Sequence, residues 1–356
     1  MIDLNKNRLK KIITEFSKAK ILVVGDLMLD EFIWGGVERI SPEAPVPVVW
    51  AKKRNYAPGG AANVASNIAS LGGKVTLVGV IGSDHNGQIL KSELKKKKID
   101  TRGIFAQAHR HTTLKTRIIA GHQQVVRVDW EDRNSIPLDL EARISGFINN
   151  NLKIFQAVII EDYGKGIITP GLLGRIKPAI RKYKVITTVD PKEEHFDYYD
   201  SFTAITPNRN EAENAIRNLK IKGSRTLNVS DDKLISDKQL NLTGEELRRC
   251  LNLEAILITL GEHGMRLFEK GKAPHHIPTV AQEVFDVAGA GDTVIAAFTL
   301  ALSQGASMVE AAHISNFAAG IVVGKLGVAV TTQDELTSRL DKEKKNKAVR
   351  IPVKLK

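Results

Sequence analysis

The stretch Asp286-Val-Ala-Gly-Ala-Gly-Asp-Thr293 is followed directly by the apolar run Val294-Ile-Ala-Ala-Phe-Thr-Leu-Ala-Leu302. Gly289 and Gly291 therefore stand where a loop turns into an apolar helix. The first turn of a helix has unpaired backbone N–H groups and the positive end of the helix dipole, so it favours an anion. Glycine lets that backbone approach a ligand closely. The stretch predicts an anion hole formed by the amides of Gly289, Ala290 and Gly291.

Asp292 is the candidate catalytic base at this helix start. A carboxylate there can take a proton from a hydroxyl, while the amides stabilise the charge that develops on a transferred phosphoryl group. The alternative is that Asp292 only caps the helix, which is a common use of aspartate.

A second glycine motif, Gly59-Gly-Ala-Ala-Asn63, opens another apolar helix that ends at Gly72-Gly73. In this order, the two motifs resemble the two signatures of the ribokinase-like (PfkB) family of carbohydrate kinases. Within that family the resemblance is to the heptose 7-phosphate kinases, and it runs from about residue 8 to about residue 340. Four further stretches carry it: Arg39-Ile-Ser-Pro-Glu-Ala-Pro-Val-Pro-Val-Val49, Gln123-Gln-Val-Val-Arg-Val-Asp129, Asp162-Tyr-Gly-Lys-Gly166 and Val322-Val-Gly-Lys-Leu-Gly327.

The apolar pattern predicts an α/β fold, because short β-branched runs alternate with helical periodicity. The resemblance implies the ribokinase-like form of it, a three-layer α/β/α arrangement with a mostly parallel central sheet and a small β-sheet lid. The predicted strands are Ile21–Val24, Val75–Ile81, Ala157–Ile160, Val185–Val189, Ala204–Thr206 and Ala255–Leu260. The predicted helices lie near 60–71, 84–98, 138–153, 170–182, 208–218, 239–250, 290–304 and 307–325.

Two segments, 31–57 and 112–130, interrupt this alternation and predict the strands of an extra antiparallel sheet. In the family such a sheet is a lid over the sugar and often the dimer interface, so we expect a homodimer through the lid. The alternative is a long surface hairpin without a role.

Ligands of parallel sheets lie outside the carboxyl ends of the strands, and several polar residues follow predicted strands. Carboxylates and amides bind sugar hydroxyls, so the first candidates for the sugar are Asp30 and Asn63, with Gly59 and Gly60 permitting close approach. Asp26 and Asp162 are further candidates. A substrate phosphate also needs cations, and the candidates are Lys115, Arg117, Arg127 and Lys165; for each one alone, a solvated surface charge is the alternative.

Asn208-Arg-Asn-Glu211 matches the family's Asn-x-x-Glu motif. The resemblance implies that Glu211 helps to place Mg²⁺, directly or through water. The alternative is an ordinary helix start rich in polar residues. ATP is the expected co-substrate, and K⁺ is left open because Ala288 stands where the family commonly has Thr. The other nucleotide candidates are Lys192, Thr259, Gly261, Gly264 and Asn316.

Composition is that of a globular protein, with 42% hydrophobic and 26% charged residues among 356. A single cysteine excludes an internal disulfide, and the absence of a long apolar run argues against a membrane span, so we expect a cytoplasmic protein. Most of the net charge of +12 comes from residues 91–98 and 341–356. We expect a kinase domain over 1–341 and a basic flexible tail over 342–356, and we do not expect nucleic-acid binding.

The resemblance implies ATP-dependent phosphorylation of C1 of D-glycero-β-D-manno-heptose 7-phosphate to the 1,7-bisphosphate, a step of ADP-heptose synthesis for lipopolysaccharide cores. Residues 328–356 contain no HxGH-type motif, so a separate nucleotidyltransferase is expected to act downstream. The alternatives are another sugar or sugar-phosphate kinase of the family, or a non-catalytic sugar or nucleotide sensor. Asp292 beside an intact anion loop argues against the sensor.

Overall fold

A computed structural model describes residues 5–342, apart from residues 122, 224–226, 228, 230–232, 235 and 282 and the side chain at 342. Thirteen strands lie in this part of the chain. They are β1 (Lys20–Gly25), β2 (Leu27–Ile40), β3 (Pro47–Gly60), β4 (Lys74–Gly82), β5 (Asp100–Gln107), β6 (Thr113–Ala120), β7 (Gln123–Trp130), β8 (Ala157–Glu161), β9 (Ile186–Asp190), β10 (Ala204–Ile205), β11 (Ala255–Thr259), β12 (Met265–Glu269) and β13 (His275–Ile277).

Nine strands form the central sheet, in the order β13-β12-β11-β10-β9-β8-β1-β4-β5. Every pair from β11 to β5 is parallel, and β12 and β13 add two antiparallel pairs at one edge. The mostly parallel sheet is therefore confirmed. The sequence analysis did not predict β5, β12 or β13.

Ten α-helices cover this sheet within the described residues. They are α1 (Lys6–Thr14), α2 (Ala61–Ser70), α3 (His85–Lys96), α4 (Leu138–Asn151), α5 (Pro170–Tyr183), α6 (Arg209–Lys222), α7 (Asp237–Cys250), α8 (Ala290–Ser303), α9 (Met308–Val322) and α10 (Gln333–Lys342). Two separate apolar clusters, one on each face, confirm the three layers. Ile21 and Val23 of β1 pack with α1, α2, α3, α8, α9 and α10, whereas Leu22 and Val24 pack with α4, α5, α6 and α7. Strand side chains alternate between faces, so one apolar strand supplies both clusters.

The lid is a four-stranded sheet in the order β3-β2-β6-β7. The pairs β2–β3 and β6–β7 are antiparallel hairpins, as expected, but β2 and β6 run parallel. The prediction of a wholly antiparallel lid is therefore wrong at its centre. The reason is topological: β2 continues from β1 and β6 follows β5, and both of those strands run in the same direction in the central sheet.

Large apolar side chains remain exposed on the lid, among them Trp34, Trp50 and Trp130. On β7, Val126, Val128 and Trp130 alternate with Arg127 and Asp129, so the apolar and the charged side chains lie on opposite faces. The face of the lid with Arg127 and Asp129 is therefore charged, whereas the opposite face exposes apolar side chains of β7 and also carries the Glu31–Arg54 ion pair.

None of the described helices is long and apolar enough to cross a membrane. The predicted domain end at residue 341 falls in α10, where Asp341 accepts from Lys10 Nζ at 2.6 Å. Residues 343–356, nearly all of the predicted basic tail, lie outside the described residues, so that prediction stays a prediction.

Candidate active site

The carboxyl ends of neighbouring strands bring the predicted polar residues to one edge of the central sheet. Asp26 follows β1, Glu161 and Asp190 end β8 and β9, and Thr259 ends β11. Asn208 lies beside Thr259 through an isolated parallel bridge. The start of α8 lies against this edge, because a Cβ built on Gly291 would lie 3.7 Å from Asp190 Oδ2.

The start of α8 has the backbone that the glycine motif predicts. Gly289 is the N-cap residue with φ +76°, and a Cβ there would lie 2.7 Å from the Asn63 amide nitrogen. Both facts favour glycine at this position. Within the described residues, the N–H groups of Gly289, Gly291 and Asp292 have no acceptor, whereas Ala290 N–H donates to the Val287 carbonyl at 3.2 Å. The open N–H groups at this helix start are therefore those of Gly289, Gly291 and Asp292, and the predicted anion hole of Gly289, Ala290 and Gly291 stays a prediction.

Asp292 lies in the first turn of α8 and does not cap it, so the capping alternative is wrong. Its side chain is 4% exposed and accepts two hydrogen bonds, from Asn63 Nδ2 at 2.5 Å and from Tyr163 Oη at 2.9 Å. Burial raises the pKa of Asp292 to about 6, despite these two donors. A carboxylate with a pKa near neutrality is suited to act as a general base.

Tyr163 is a site residue that the sequence analysis missed, although it lies in one of the quoted motifs. The buried Asp26 carboxylate accepts from the backbone N–H groups of Tyr163, Lys165 and Ile167 at 2.8, 3.0 and 3.3 Å. These bonds fix the loop that carries Tyr163 to Asp292. Burial, followed by the neighbouring Asp162, raises the pKa of Asp26 to about 6.

The Asp162 carboxylate also accepts hydrogen bonds from other parts of the protein. It accepts from Gly164 N–H at 2.8 Å and from Tyr199 Oη at 2.7 Å, and His195 Nδ1 lies 2.8 Å from it. Asp26 and Asp162 thus shape the loop 162–167, and their predicted contacts with a sugar stay predictions.

Three carboxylates meet on the floor of the site. Oxygen atoms of Glu161, Asp190 and Asp292 all lie within 4.8 Å of one another. Glu161 is fully buried, and its side chain shares a hydrogen bond with that of Asp190. Burial raises the pKa values of Glu161 and Asp190 well above their usual range, and nearby carboxylates raise them further. An all-carboxylate donor set of this kind suits a hard divalent cation.

Asn208 and Glu211 form a capping box at the start of α6. Asn208 Oδ1 accepts from Glu211 N–H at 2.9 Å, and Glu211 Oε2 accepts from Asn208 N–H at 2.8 Å. The ordinary helix-start role is therefore present, and the role in placing Mg²⁺ stays a prediction. Lys192 follows β9, with Nζ 3.4 Å from Glu194 and 3.6 Å from Glu193.

A cavity of about 510 Å³ opens beside the start of α8 and collects most of the predicted nucleotide residues. Asn316 Nδ2 donates to the Pro278 carbonyl at 2.8 Å, so its amide is oriented by backbone. Gly264 has φ +82°, and a Cβ there would lie 2.1 Å from the Ile277 carbonyl oxygen, so only glycine fits. The predicted residues that line this cavity are Thr259, Gly261, Gly264, Ala290, Gly291 and Asn316.

The charged face of the lid also lies near Asp292, because Asp30 and Lys115 both influence the pKa of Asp292. Lys115 Nζ lies 5.7 Å from the centre of the Tyr163 ring, and Arg117 forms an ion pair with Asp30. Burial lowers the pKa of Lys115; Asp129 and Asp30 oppose this shift, and the positive charges of Lys165 and Arg127 add to it. Three of the predicted phosphate-binding cations therefore lie close enough to influence one another.

Among the predicted phosphate-binding cations, Arg117, Lys165 and Arg127 each form an ion pair with a carboxylate. Lys165 Nζ lies 2.6 Å from Glu131, and Arg127 Nε lies 2.9 Å from Asp129. A Cβ on Gly59 would lie 2.4 Å from Asp30 Oδ2, so glycine at that position lets Asp30 approach the backbone. Gly60 has φ +56°.

The comparison with family models matches residues 18–335 to the pfkB family carbohydrate kinases. The chain belongs to the pfkB family of carbohydrate kinases. It is an ATP-dependent sugar kinase by this membership. The ribokinase-like resemblance of the two glycine motifs is thereby confirmed.

Curated relatives carry the name "Bifunctional protein HldE". The chain is 41% identical over 333 residues to the one from Pelobacter propionicus, which covers 94% of the chain and 65% of the relative. It is 42% identical over 319 residues to the one from Geobacter sulfurreducens, covering 90% and 62%. The chain thus spans about two thirds of the length of these relatives.

Solved structures show the same fold at low sequence identity. Arabidopsis thaliana ribokinase, complexed with ribose and ATP, has a TM-score of 0.68 and 19% identity, covering 90% of this chain and 98% of that one. Phosphofructokinase-2 from Escherichia coli, in complex with substrates and products, has a TM-score of 0.72 and 17% identity, covering 91% and 99%. The ribokinase-like fold with its lid is confirmed.

Proposed function

We propose that this protein transfers the γ-phosphoryl group of ATP to the C1 hydroxyl of D-glycero-β-D-manno-heptose 7-phosphate. The relatives named HldE and the sequence motifs shared with heptose 7-phosphate kinases support this choice within the family. The product, the 1,7-bisphosphate, would be used in the cytoplasm by a separate nucleotidyltransferase on the way to ADP-heptose for lipopolysaccharide cores.

The position of Asp292 is the observation that carries the proposal. It lies between an apolar cavity of nucleotide size and the cationic face of the lid, at a helix start with open N–H groups. A sugar phosphate under the lid and ATP in the cavity would therefore meet at Asp292. A sensor would need the two binding regions but not a buried base between them.

The transfer uses the residues as follows. Asp292 accepts the proton of the C1 hydroxyl, and the C1 oxygen forms a bond to the γ-phosphorus. The bond between that phosphorus and the β–γ bridging oxygen breaks, and ADP leaves with its electron pair. The open amides of Gly289, Gly291 and Asp292 stabilise the negative charge on the transferred group.

Mg²⁺ is the proposed divalent cation, because carboxylate oxygens are its preferred protein ligands. Glu211 would hold it, directly or through water, with the carboxylate oxygen that the capping box leaves free. When bound, the ion neutralises charge on the phosphates of ATP.

The sequence analysis left open whether K⁺ is bound. One structure with the same fold, phosphofructokinase-2 of Escherichia coli, is in complex with potassium. A comparison of the kinase rates in KCl and in NaCl tests whether this chain uses K⁺.

Binding of the substrate's phosphate by Lys115 and the neighbouring cations is part of the proposal. Lys115 has no carboxylate within ion-pair distance among the described residues and lies beside Lys165 and Arg127. Asp129 and Asp30 act on Lys115 from the neighbouring strands, and a dianionic phosphate would add a counter-charge in direct contact. We also propose that the exposed apolar face of the lid, with Val126, Val128 and Trp130, forms a homodimer interface.

A substrate panel tests the proposal. Heptose 7-phosphate, unphosphorylated heptose, fructose 6-phosphate and ribose would each be incubated with ATP, and the product phosphate assigned by phosphorus NMR. We expect fast turnover only with heptose 7-phosphate and a new anomeric phosphate at C1. Equal turnover of fructose 6-phosphate or ribose would point to a general sugar kinase of the family instead.

A further inference from the structure

Two histidine side chains outside the proposed active site face each other between the edge of the central sheet and a helix. His275 lies on the edge strand β13 and His313 lies on α9. The Nε2 atoms of the two rings are 3.4 Å apart, and the ring centres are 5.6 Å apart. Both side chains are partly buried, and neither ring has another hydrogen-bond partner among the described residues. The pair therefore brings two ring nitrogens to one point.

The distance between these two nitrogens distinguishes two roles for the pair. A hydrogen bond that an N–H group donates to oxygen usually spans about 2.7–3.2 Å, so the separation of 3.4 Å is long for direct bonding. Two nitrogens that bind one tetrahedral Zn²⁺, each at about 2.0–2.1 Å, are about 3.3–3.4 Å apart. The observed separation therefore fits an ion between the rings better than a direct hydrogen bond.

The surroundings keep both rings in the form that binds metal. Burial lowers the pKa of His313 to about 4, and burial, followed by the charge of His276, lowers the pKa of His275. Both imidazoles are therefore neutral at neutral pH, and neutral imidazole is a common ligand of zinc and of the neighbouring transition metals. Among the described residues no third His, Cys, Asp or Glu joins the pair, so water would complete the coordination of the ion.

We propose that His275 and His313 bind a transition-metal ion of the Zn²⁺ class that links β13 to α9. The two protein ligands are both nitrogens, so the site disfavours Mg²⁺, which prefers oxygen ligands. Three residues further along both segments, Asn316 Nδ2 donates to the Pro278 carbonyl at 2.8 Å, and Asn316 lines the nucleotide cavity. The ion would add a second link beside that hydrogen bond and so hold this wall of the cavity more firmly.

Zn²⁺ binding to the untagged full chain, measured by calorimetry in a large excess of Mg²⁺, tests the proposal. The Mg²⁺ occupies oxygen ligands, such as the carboxylates at the sheet edge, and leaves the imidazole nitrogens free. We expect one Zn²⁺ site in the wild type, weakened at least about tenfold in His313→Gln. Removal of a residue that only orients a metal ligand already costs about 10–100-fold in affinity, and His313 is proposed as a ligand itself.

His276→Gln is the matched control. His276 is the next residue on β13, but successive side chains of a strand point to opposite faces, and its Nε2 lies 2.9 Å from the His263 carbonyl. This variant should bind Zn²⁺ like the wild type. Melting curves give a second readout: Zn²⁺ should raise the Tm of the wild type and of His276→Gln, but not that of His313→Gln. If His313→Gln does not fold, His275→Gln takes its place.

Two results would overturn the proposal. One is a wild type that binds no Zn²⁺ in excess Mg²⁺, which would mean that the two neutral rings share only a long hydrogen bond. The other is equal Zn²⁺ affinity in the wild type, His313→Gln and His275→Gln. Because neither histidine takes part in the proposed phosphoryl transfer, a chain that phosphorylates no sugar would contradict the proposed function and leave the Zn²⁺ site standing.

Discussion

The nucleotide side and the lid side of Asp292 are built on different principles. On the nucleotide side, Gly264 and Gly289 set backbone shape, and the Asn316 amide is fixed by a carbonyl. On the lid side, Arg117 and Arg127 are held by carboxylates on neighbouring strands. A ligand of the cavity meets Gly264 and Asn316, which carry no charge, whereas a phosphate under the lid competes with Asp30 and Asp129. The comparison indicates that the nucleotide side is organised in advance and the lid side is held together by exchangeable pairs.

The largest effect on activity is expected at Asp292, which lies between the nucleotide side and the lid side. Asp292→Asn should lower kcat by about 10²–10⁴-fold, because it removes the base and keeps the size of the side chain. ATP binding, measured by calorimetry, should be nearly unchanged, since the nucleotide cavity does not depend on that charge. A variant that keeps more than a tenth of the wild-type kcat would show that Asp292 is not the base.

The next largest effect is expected from a change on the lid side alone, at Lys115. Lys115→Met should lower kcat/KM for heptose 7-phosphate by about ten- to hundredfold, the effect of losing a charge-assisted contact of about 1.5–3 kcal/mol. KM for ATP should stay the same, and so should the already low kcat/KM for unphosphorylated heptose. Lys52→Met, an exposed lysine on β3 of the same sheet, is the control. Equal losses for both sugars would contradict a role for Lys115 at the phosphate.

A smaller effect is expected from the loop that joins the two regions. The Tyr163 hydroxyl lowers the pKa of Asp292 relative to burial alone. Tyr163→Phe should therefore raise that pKa, and the acidic limb of the kcat profile, which lies near pH 6 in the wild type, should move to higher pH. The exposed Tyr183→Phe should leave the profile unchanged. A profile that does not move in Tyr163→Phe would make the hydroxyl irrelevant to the base.

The smallest effect concerns the predicted tail. A chain cut after Asp341 should keep its Tm and its KM for ATP within error, because residues 342–356 carry mainly charge and few apolar groups. If the full chain bound an acidic partner at low salt and the cut chain did not, the tail would have a docking role. Loss of folding or activity on truncation would place the domain end beyond residue 341.

The features that were predicted most accurately from the sequence are those that depend on a local pattern of residues. The apolar runs of β1 and β8 and the glycine motif before α8 each determine their own backbone, so their bounds and the position of Asp292 were predicted closely. Strands β12 and β13 were missed because they contain Arg266, His275 and His276 and form an edge, where pairing to β11 outweighs intrinsic preference.

Contacts between distant segments were harder to predict. Tyr163 reaches Asp292 only because Asp26, far earlier in the chain, binds the loop backbone at three points. The burial of Glu161 beside Asp190 depends on the neighbouring positions of β8 and β9, which the sequence alone does not reveal. Similarly, the parallel pairing of β2 with β6 follows from the order of the central strands, which no local pattern states.

The exposed tryptophans of the lid give the molecule a built-in optical reporter. The chain has three tryptophans, and Trp34, Trp50 and Trp130 all lie in the lid sheet. Intrinsic fluorescence excited at tryptophan therefore originates entirely from that sheet. Dilution that separates a lid-to-lid dimer should shift the emission to longer wavelength as indoles enter water, whereas ATP should change it little, because no tryptophan lines the nucleotide cavity.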